Sequence, residues 1–146
     1  MGLDMFLTAN RFFWSHEREK HTIELKGLNL IPEGFEIKSI NIDVGYWRNA
    51  NAIHKWFVDS VQDGKDECHP HDVSREQLTE LKQLCKDVLS SDVAHAETFL
   101  PTQEGFFFGD VGYDDYYYED LRETIKIIDK ALSLPDEWDF EYCSSW

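Results

Sequence analysis

The chain has few cysteines, prolines and glycines, and each shortage argues against a class of protein. Three cysteines among 146 residues form an odd and sparse set, so we expect reduced thiols and no disulfide framework. Four prolines and eight glycines leave no low-complexity linker. The N-terminus lacks the basic flank and apolar run of an export signal, and no apolar stretch is long enough to cross a bilayer. The sequence predicts a cytoplasmic protein.

Basic residues are also scarce. Fourteen lysines and arginines face 29 acidic residues, which gives a formal net charge of -15, and residues 101–146 carry 12 acids against 3 bases. Such a field repels phosphate backbones and anionic membranes and attracts basic surfaces. We therefore expect no direct nucleic-acid binding, no membrane binding, and a protein partner with a basic surface.

Hydrophobic residues make up 42% of the chain and aromatic residues 14%, which is typical of a globular protein with a packed core. A length of 146 residues suits one domain, so residues 1–146 are predicted to form a single globular domain.

Alternating apolar residues predict strands in the first third of the chain. One strand is expected within Leu3–Trp14, with a break at Asn10-Arg11. Further strands are expected at 21–25 and 35–37, and the last of these continues to Tyr46 after a bulge at Lys38-Ser39.

The remainder of the chain is predicted to be mainly helical. Helical spacing of apolar residues marks 50–61, 74–88 and 117–132, and Ser74-Arg75-Glu76-Gln77 matches a capping box. Short strands are expected at Phe106–Phe108 and at 140–142. Strands followed mostly by helices indicate an α+β fold, a small antiparallel sheet packed against about three α-helices.

A cluster of acids and tyrosines, YDDYYYED at 113–120, is the strongest candidate for a binding surface. Asp114 or Asp115 is expected to cap the third helix, and Tyr117 shares the apolar stripe of that helix. Four residues then remain to meet a partner, namely Tyr113, Tyr116, Glu119 and Asp120. Tyrosine offers rigid contact area with a polar tip, and carboxylates complement a basic surface.

Two alternative sites involve histidine. Arg48 and His54 are similar in spacing to the Arg-x4-6-His motif of HEPN-type ribonucleases, in which His acts as general base or acid and Arg stabilises phosphorane charge. The alternative function is therefore a HEPN-like ribonuclease or another hydrolase that uses these two residues. Six residues on a helix place two side chains about 120° apart, so the pair converges only if Arg48 precedes the helix.

Separately, Cys68, His69 and His71 place three side chains of the types that bind metals in one loop, which suggests a metal-stabilised structural protein.

Cofactor motifs provide no further candidate. Glycines 105, 109 and 112 punctuate an aromatic segment, but neither GxGxxG nor GxxxxGK[ST] occurs. No cofactor is predicted.

Four segments carry a resemblance to a known family: the start MGLDMFL, the segment YWRNANAIHKWF at 46–57, GFFFG at 105–109 and YCSSW at 142–146. Together they resemble a family of small bacteriophage and prophage proteins whose members typically begin MGLDMYL, so Phe6 departs from the usual Tyr. The resemblance implies an accessory factor that binds and modulates a host protein, including inhibitors of restriction or CRISPR systems that present carboxylates in place of phosphates.

Overall fold

A computed structural model describes residues 2–146, and Met1 lies outside the described residues. The elements in chain order are β1 (Asp4–Phe12), α1 (Ser15–Lys26), β2 (Ser39–Arg48), α2 (Asn51–Val61), β3 (His71–Val73), α3 (Arg75–Leu89), α4 (Val93–Phe99), α5 (Asp115–Leu132) and β4 (Trp138–Ser145). The α+β class is confirmed. The described residues contain five helices rather than about three, because α1 and α4 have no clear apolar stripe in the sequence.

The four strands form one antiparallel sheet in the order β2-β1-β4-β3. Alternate residues of each strand point to opposite faces. On one face, here called the inner face, the central strands contribute fully buried side chains: Met5, Leu7, Ala9, Phe140 and Tyr142. The opposite, outer face carries exposed or half-buried residues. The core therefore lies on one side of the sheet.

Helices α2, α3 and α5 provide the apolar residues that pack with the inner face into one core. Each shows the expected stripe, for example Leu78, Leu81, Cys85 and Val88 in α3. The capping box that begins α3 is confirmed, since the Ser74 hydroxyl accepts from the Gln77 amide at 3.0 Å and the Gln77 side chain accepts from the Ser74 amide at 2.9 Å. Where α5 crosses β2, a β-carbon added to Gly45 would lie 2.2 Å from Cγ2 of Ile127.

The predicted strands at 21–25 and 35–37 are wrong. Residues 21–25 lie in α1, because Glu, Arg and Lys at 17–20 are good helix formers and the Glu17 carboxylate accepts from the Trp14 amide at 3.1 Å. Residues 35–37 are irregular, and the Ile37 amide donates to the Thr22 hydroxyl at 3.0 Å rather than to a strand. Residues 13–38 thus form an excursion between β1 and β2, and we refer to them by that name.

Three smaller expectations also differ from the structure. The bulge lies at Val44, where the register passes from Leu7–Gly45 to Thr8–Asp43, and β1 runs unbroken through Asn10-Arg11. Phe106–Phe108 forms a turn, because Phe107 has φ +74° and the Phe108 amide donates to the Gly105 carbonyl at 3.2 Å. Within residues 2–146, no helix combines the length and the apolar character needed to cross a bilayer.

Candidate functional site

A cleft of about 310 Å³ lies where the end of β2, the loop 102–112 and the start of α5 meet. Its lining includes three carboxylates and one highly exposed tyrosine: Asp110, Asp114, Asp120 and Tyr116. Of the described residues that line it, Arg48 alone is basic. The cleft is therefore acidic with an aromatic side, a combination that suits a cationic group.

Asn51 holds the loop wall of the cleft in place. Its buried amide nitrogen donates to the carbonyls of Phe108 and Asp110, at 3.0 and 2.8 Å, and its oxygen accepts from the Gln103 amide at 3.1 Å. Thr102 closes the loop from the other side through its hydroxyl, which donates to the Val111 carbonyl at 2.9 Å. The loop has little regular structure, so these side-chain hydrogen bonds fix its shape.

The start of α5 forms the other wall. Asp114 caps the helix by accepting from the Tyr117 amide at 3.1 Å, which settles the capping prediction in favour of Asp114. Tyr117 is buried as predicted, and its hydroxyl donates to the Leu100 carbonyl at 2.8 Å. Burial raises the pKa of Asp120 to about 6, and the nearby Asp114 and Glu119 carboxylates add to the shift. A cation in the cleft would relieve this repulsion.

The four residues predicted to bind a partner are divided by the structure. Tyr116 and Asp120 line the cleft. The Tyr113 hydroxyl accepts from the Thr102 amide at 3.2 Å and its ring meets Tyr117 edge-on, so this residue supports the cleft from behind. Glu119 pairs with Arg122 at 3.1 Å on the exposed side of α5.

A second acidic feature, which we name the carboxylate row, crosses the outer face of the sheet. Thr8 pairs with Asp43 of β2 and with Glu141 of β4, and Glu141 pairs with Asp72 of β3. With strands about 4.8 Å apart, the row extends about 14 Å. Asp139 lies two residues further along β4 on the same face. Among residues 2–146, none of these four carboxylates is within ion-pair distance of a basic side chain.

Part of this row could have been found in the sequence. Asp139 and Glu141 alternate with the buried Phe140 and Tyr142, so their outward direction follows from the strand period. Their proximity to Asp43 and Asp72 depends on which strands are neighbours, and no local pattern shows that.

Arg48 and His54 have separate partners. Arg48 lies at the end of β2, before the helix, and its guanidinium contacts the Asp4 carboxylate at 3.2 Å. His54 is fully buried, with Nδ1 2.7 Å from the Tyr142 hydroxyl and Nε2 3.0 Å from Oδ1 of Asp66. A substrate hydroxyl has no access to either ring nitrogen, so the geometry does not favour the ribonuclease alternative.

The same contacts define which nitrogen of His54 carries its proton. Oδ1 of Asp66 accepts from Nε1 of Trp146 at 3.1 Å and, as a carboxylate oxygen, can only accept from His54 Nε2 as well. Nδ1 then accepts from the Tyr142 hydroxyl. Burial lowers the pKa of His54, although the Asp66 hydrogen bond opposes the shift. This network of a neutral imidazole, a hydroxyl and a carboxylate joins α2, β4 and the loop before β3, which is a structural role.

The metal alternative is not favoured by the geometry either. Cys68 is exposed, while His71 pairs with Tyr142 in the sheet and lies 3.7 Å from Glu67. Over residues 2–146 there is no group of three or more His, Cys, Asp or Glu side chains that could hold a metal ion.

Comparisons with known proteins give no relative from which a function could be transferred: no family model, no curated protein and no solved structure matches the chain.

Proposed function

We propose that this protein is a bacteriophage accessory protein that binds a host protein with a basic surface in the bacterial cytoplasm. In this proposal it presents carboxylates where that partner accepts the phosphates of a nucleic acid. The observation that carries the proposal is the carboxylate row, in which Asp43, Glu141 and Asp72 lie on three of the four strands, with Thr8 on the fourth, and have no basic side chain of residues 2–146 within ion-pair distance. The phage origin rests on the resemblance of the four sequence segments.

The row is costly for the free protein. Glu141 and Asp72 are directly opposite each other, and like charges in that position destabilise a strand pair. A feature that lowers stability locally without an internal compensation is typical of a binding site. A basic partner provides the missing counter-charges, and the net charge of -15 speeds their encounter.

The cleft supplies a second contact of a different kind. A lysine or arginine side chain fits a volume of about 310 Å³, where Asp120 and Asp114 neutralise it and Tyr116 covers it. Tyr116 is 83% exposed in the free protein, so a partner can bury a large part of its surface on binding. The row then gives long-range attraction and the cleft gives a specific anchor.

The test compares two variants of equal net charge. One removes the row through D43N, D72N, D139N and E141Q, and the control removes four exposed acids elsewhere through E76Q, E80Q, E97Q and E104Q. Each variant is used to capture proteins from bacterial lysate at low and moderate salt. We expect the row variant to lose bound proteins by about tenfold and the control to retain most of them.

Release by DNA distinguishes mimicry from simple charge attraction. Proteins captured by the natural chain are challenged with double-stranded DNA, and we expect those bound through the row to be displaced. Equal losses in the two variants, or capture that neither salt nor DNA reduces, would contradict the proposal.

A further inference from the structure

The excursion exposes large apolar side chains in a way that the rest of the molecule does not. Five of them are 63 to 66% exposed within 22 residues: Trp14, Ile23, Leu28, Leu30 and Phe35. Concentrations of this kind on a protein surface mark interaction sites.

Two of these residues lie in a groove. The space between α1 and residues 33–36 has a volume of about 300 Å³, and Ile23 and Phe35 provide its apolar lining. Its rim carries Glu19 and Glu36 without a basic partner among residues 2–146, while Lys26 is 3.6 Å from Glu33. The groove is therefore apolar inside and negatively charged at its edge.

Helix α1 buries little of its surface against the rest of the chain. Thr22 is the one buried residue among its twelve, whereas α2, of eleven residues, buries six. Ordering a residue costs about 1 to 2 kcal/mol of backbone entropy, and helices in proteins offset this mainly by burying an apolar face. A partner that covers Ile23 and Phe35 would supply the burial that α1 lacks.

We propose that this groove docks a segment of a partner protein in which a large apolar side chain is flanked by lysine or arginine. The apolar side chain contacts Ile23 and Phe35, and the basic residues pair with Glu19 and Glu36. A second copy of this chain fits less well, because a symmetric contact brings the same acidic rim to both sides. An anionic membrane is repelled by that rim. The groove is separate from the cleft, so the proposal is independent of cation binding there.

The separation of the two sites follows from the sheet. The excursion leaves β1 at Phe12, whereas the cleft lies at the other end of the β1–β2 pair, where Asp4 meets Arg48. β1 is nine residues long and spans about 27 Å between these two ends, so the excursion and the cleft are attached at opposite ends of the strand.

The experiment uses two fluorescent helical peptides of equal positive charge. One, of about 16 residues, carries leucines on one face and lysines on the other, and its companion has every leucine replaced by alanine. Binding to the full chain is followed by anisotropy at about 150 mM salt. We expect the leucine peptide to bind about tenfold more tightly than the alanine peptide.

Variants then locate the apolar contact. I23A with F35A should remove the preference for leucine, while V93A with F99A, an exposed apolar pair on α4, should leave it unchanged. E19Q with E36Q should lower the affinity for the leucine peptide by about threefold.

Four results would overturn the proposal: no preference for leucine, an equal loss in the α4 control, self-association of the free protein abolished by I23A with F35A, or binding to phosphatidylglycerol vesicles abolished by the same pair. The third result identifies a second copy as the occupant and the fourth a membrane.

Discussion

The excursion and the remainder of the chain, here called the body, differ in their net charge and in how far they bury their apolar side chains. Residues 13–38 contain four basic and five acidic residues, a net charge of -1, so the body carries -14 of the total of -15. The excursion buries only Phe13 and Thr22, whereas the body contains nearly the whole core. The body carries nearly all of the net charge, and the excursion carries a concentration of exposed apolar side chains, which indicates two kinds of contact on one small protein.

The largest expected effect on the free energy of unfolding comes from replacing a buried phenylalanine of the body, compared with an exposed one of the excursion. Phe57 is fully buried and stacks on Tyr142 at 3.9 Å, so F57A should lower the free energy of unfolding by about 3 to 5 kcal/mol. The matched change in the excursion, F35A, should cost no more than about 0.5 kcal/mol. Urea unfolding measures both, and similar losses would show that the excursion is part of the core.

A glycine pair sharpens the comparison. G45A drives a methyl group against Ile127 and should cost about 1 to 3 kcal/mol. G27A in the excursion meets nothing closer than 3.5 Å at φ -60°, so it should be neutral or stabilise by about 0.5 kcal/mol. Both are measured as shifts of the urea midpoint. A G45A effect as small as that of G27A would contradict the close approach of α5 to β2.

Asp120 makes the stability of the body depend on pH. Its folded pKa of about 6 is above the ordinary value of 3.8, so the folded state holds more protons between these values and stability falls as pH rises through this window. D120N should therefore stabilise the protein by about 1 kcal/mol at pH 7, after allowance for partial exposure, and have little effect at pH 4. Thermal unfolding across this pH range measures it.

The excursion provides the control for this pH effect. E36Q replaces an exposed carboxylate of the excursion by the same kind of amide, and its effect on stability is measured over the same pH range as the reference. A D120N effect that does not vary with pH would show that the carboxyl group is not responsible.

The smallest expected effect on global stability comes from a variant that tests whether the excursion can unfold locally while the body stays folded. T22V removes the acceptor of the Ile37 amide and should speed tryptic cleavage at Lys20, Lys26 or Lys38 severalfold. The global free energy of unfolding should change by about 0.5 kcal/mol or less, because few contacts of the body are involved. T79V, at an exposed threonine of α3, should change neither quantity. A global loss comparable to that of G45A would mean that excursion and body unfold together.

The same contrast explains what the sequence could predict. The core is built from one face of α2, α3, α5 and the strands of the body. The apolar residues of these elements therefore recur with the period of a helix or a strand. In the excursion, His21, Ile23 and Leu25 alternate by chance within a helix whose only buried side chain is Thr22. Where no core is present, apolar periodicity carries no information about secondary structure.

The features of the candidate site that depend on local sequence could be predicted, and those that depend on strand pairing could not. The cap at Asp114 and the burial of Tyr117 depend on local rules and were predictable. The carboxylate row required the pairing of residues as far apart as Asp43 and Glu141, which the outward direction of single residues does not reveal.

The length of β1 has a consequence for the sequence of any partner that contacts both sites. A partner chain that follows β1 from its cleft end to its Phe12 end, about 27 Å, uses about eight residues if it is extended, or about 18 if it is helical. A basic residue for the cleft and an apolar residue flanked by basic ones for the groove, on the two sides of such a stretch, therefore form a pattern that can be sought in bacterial proteins.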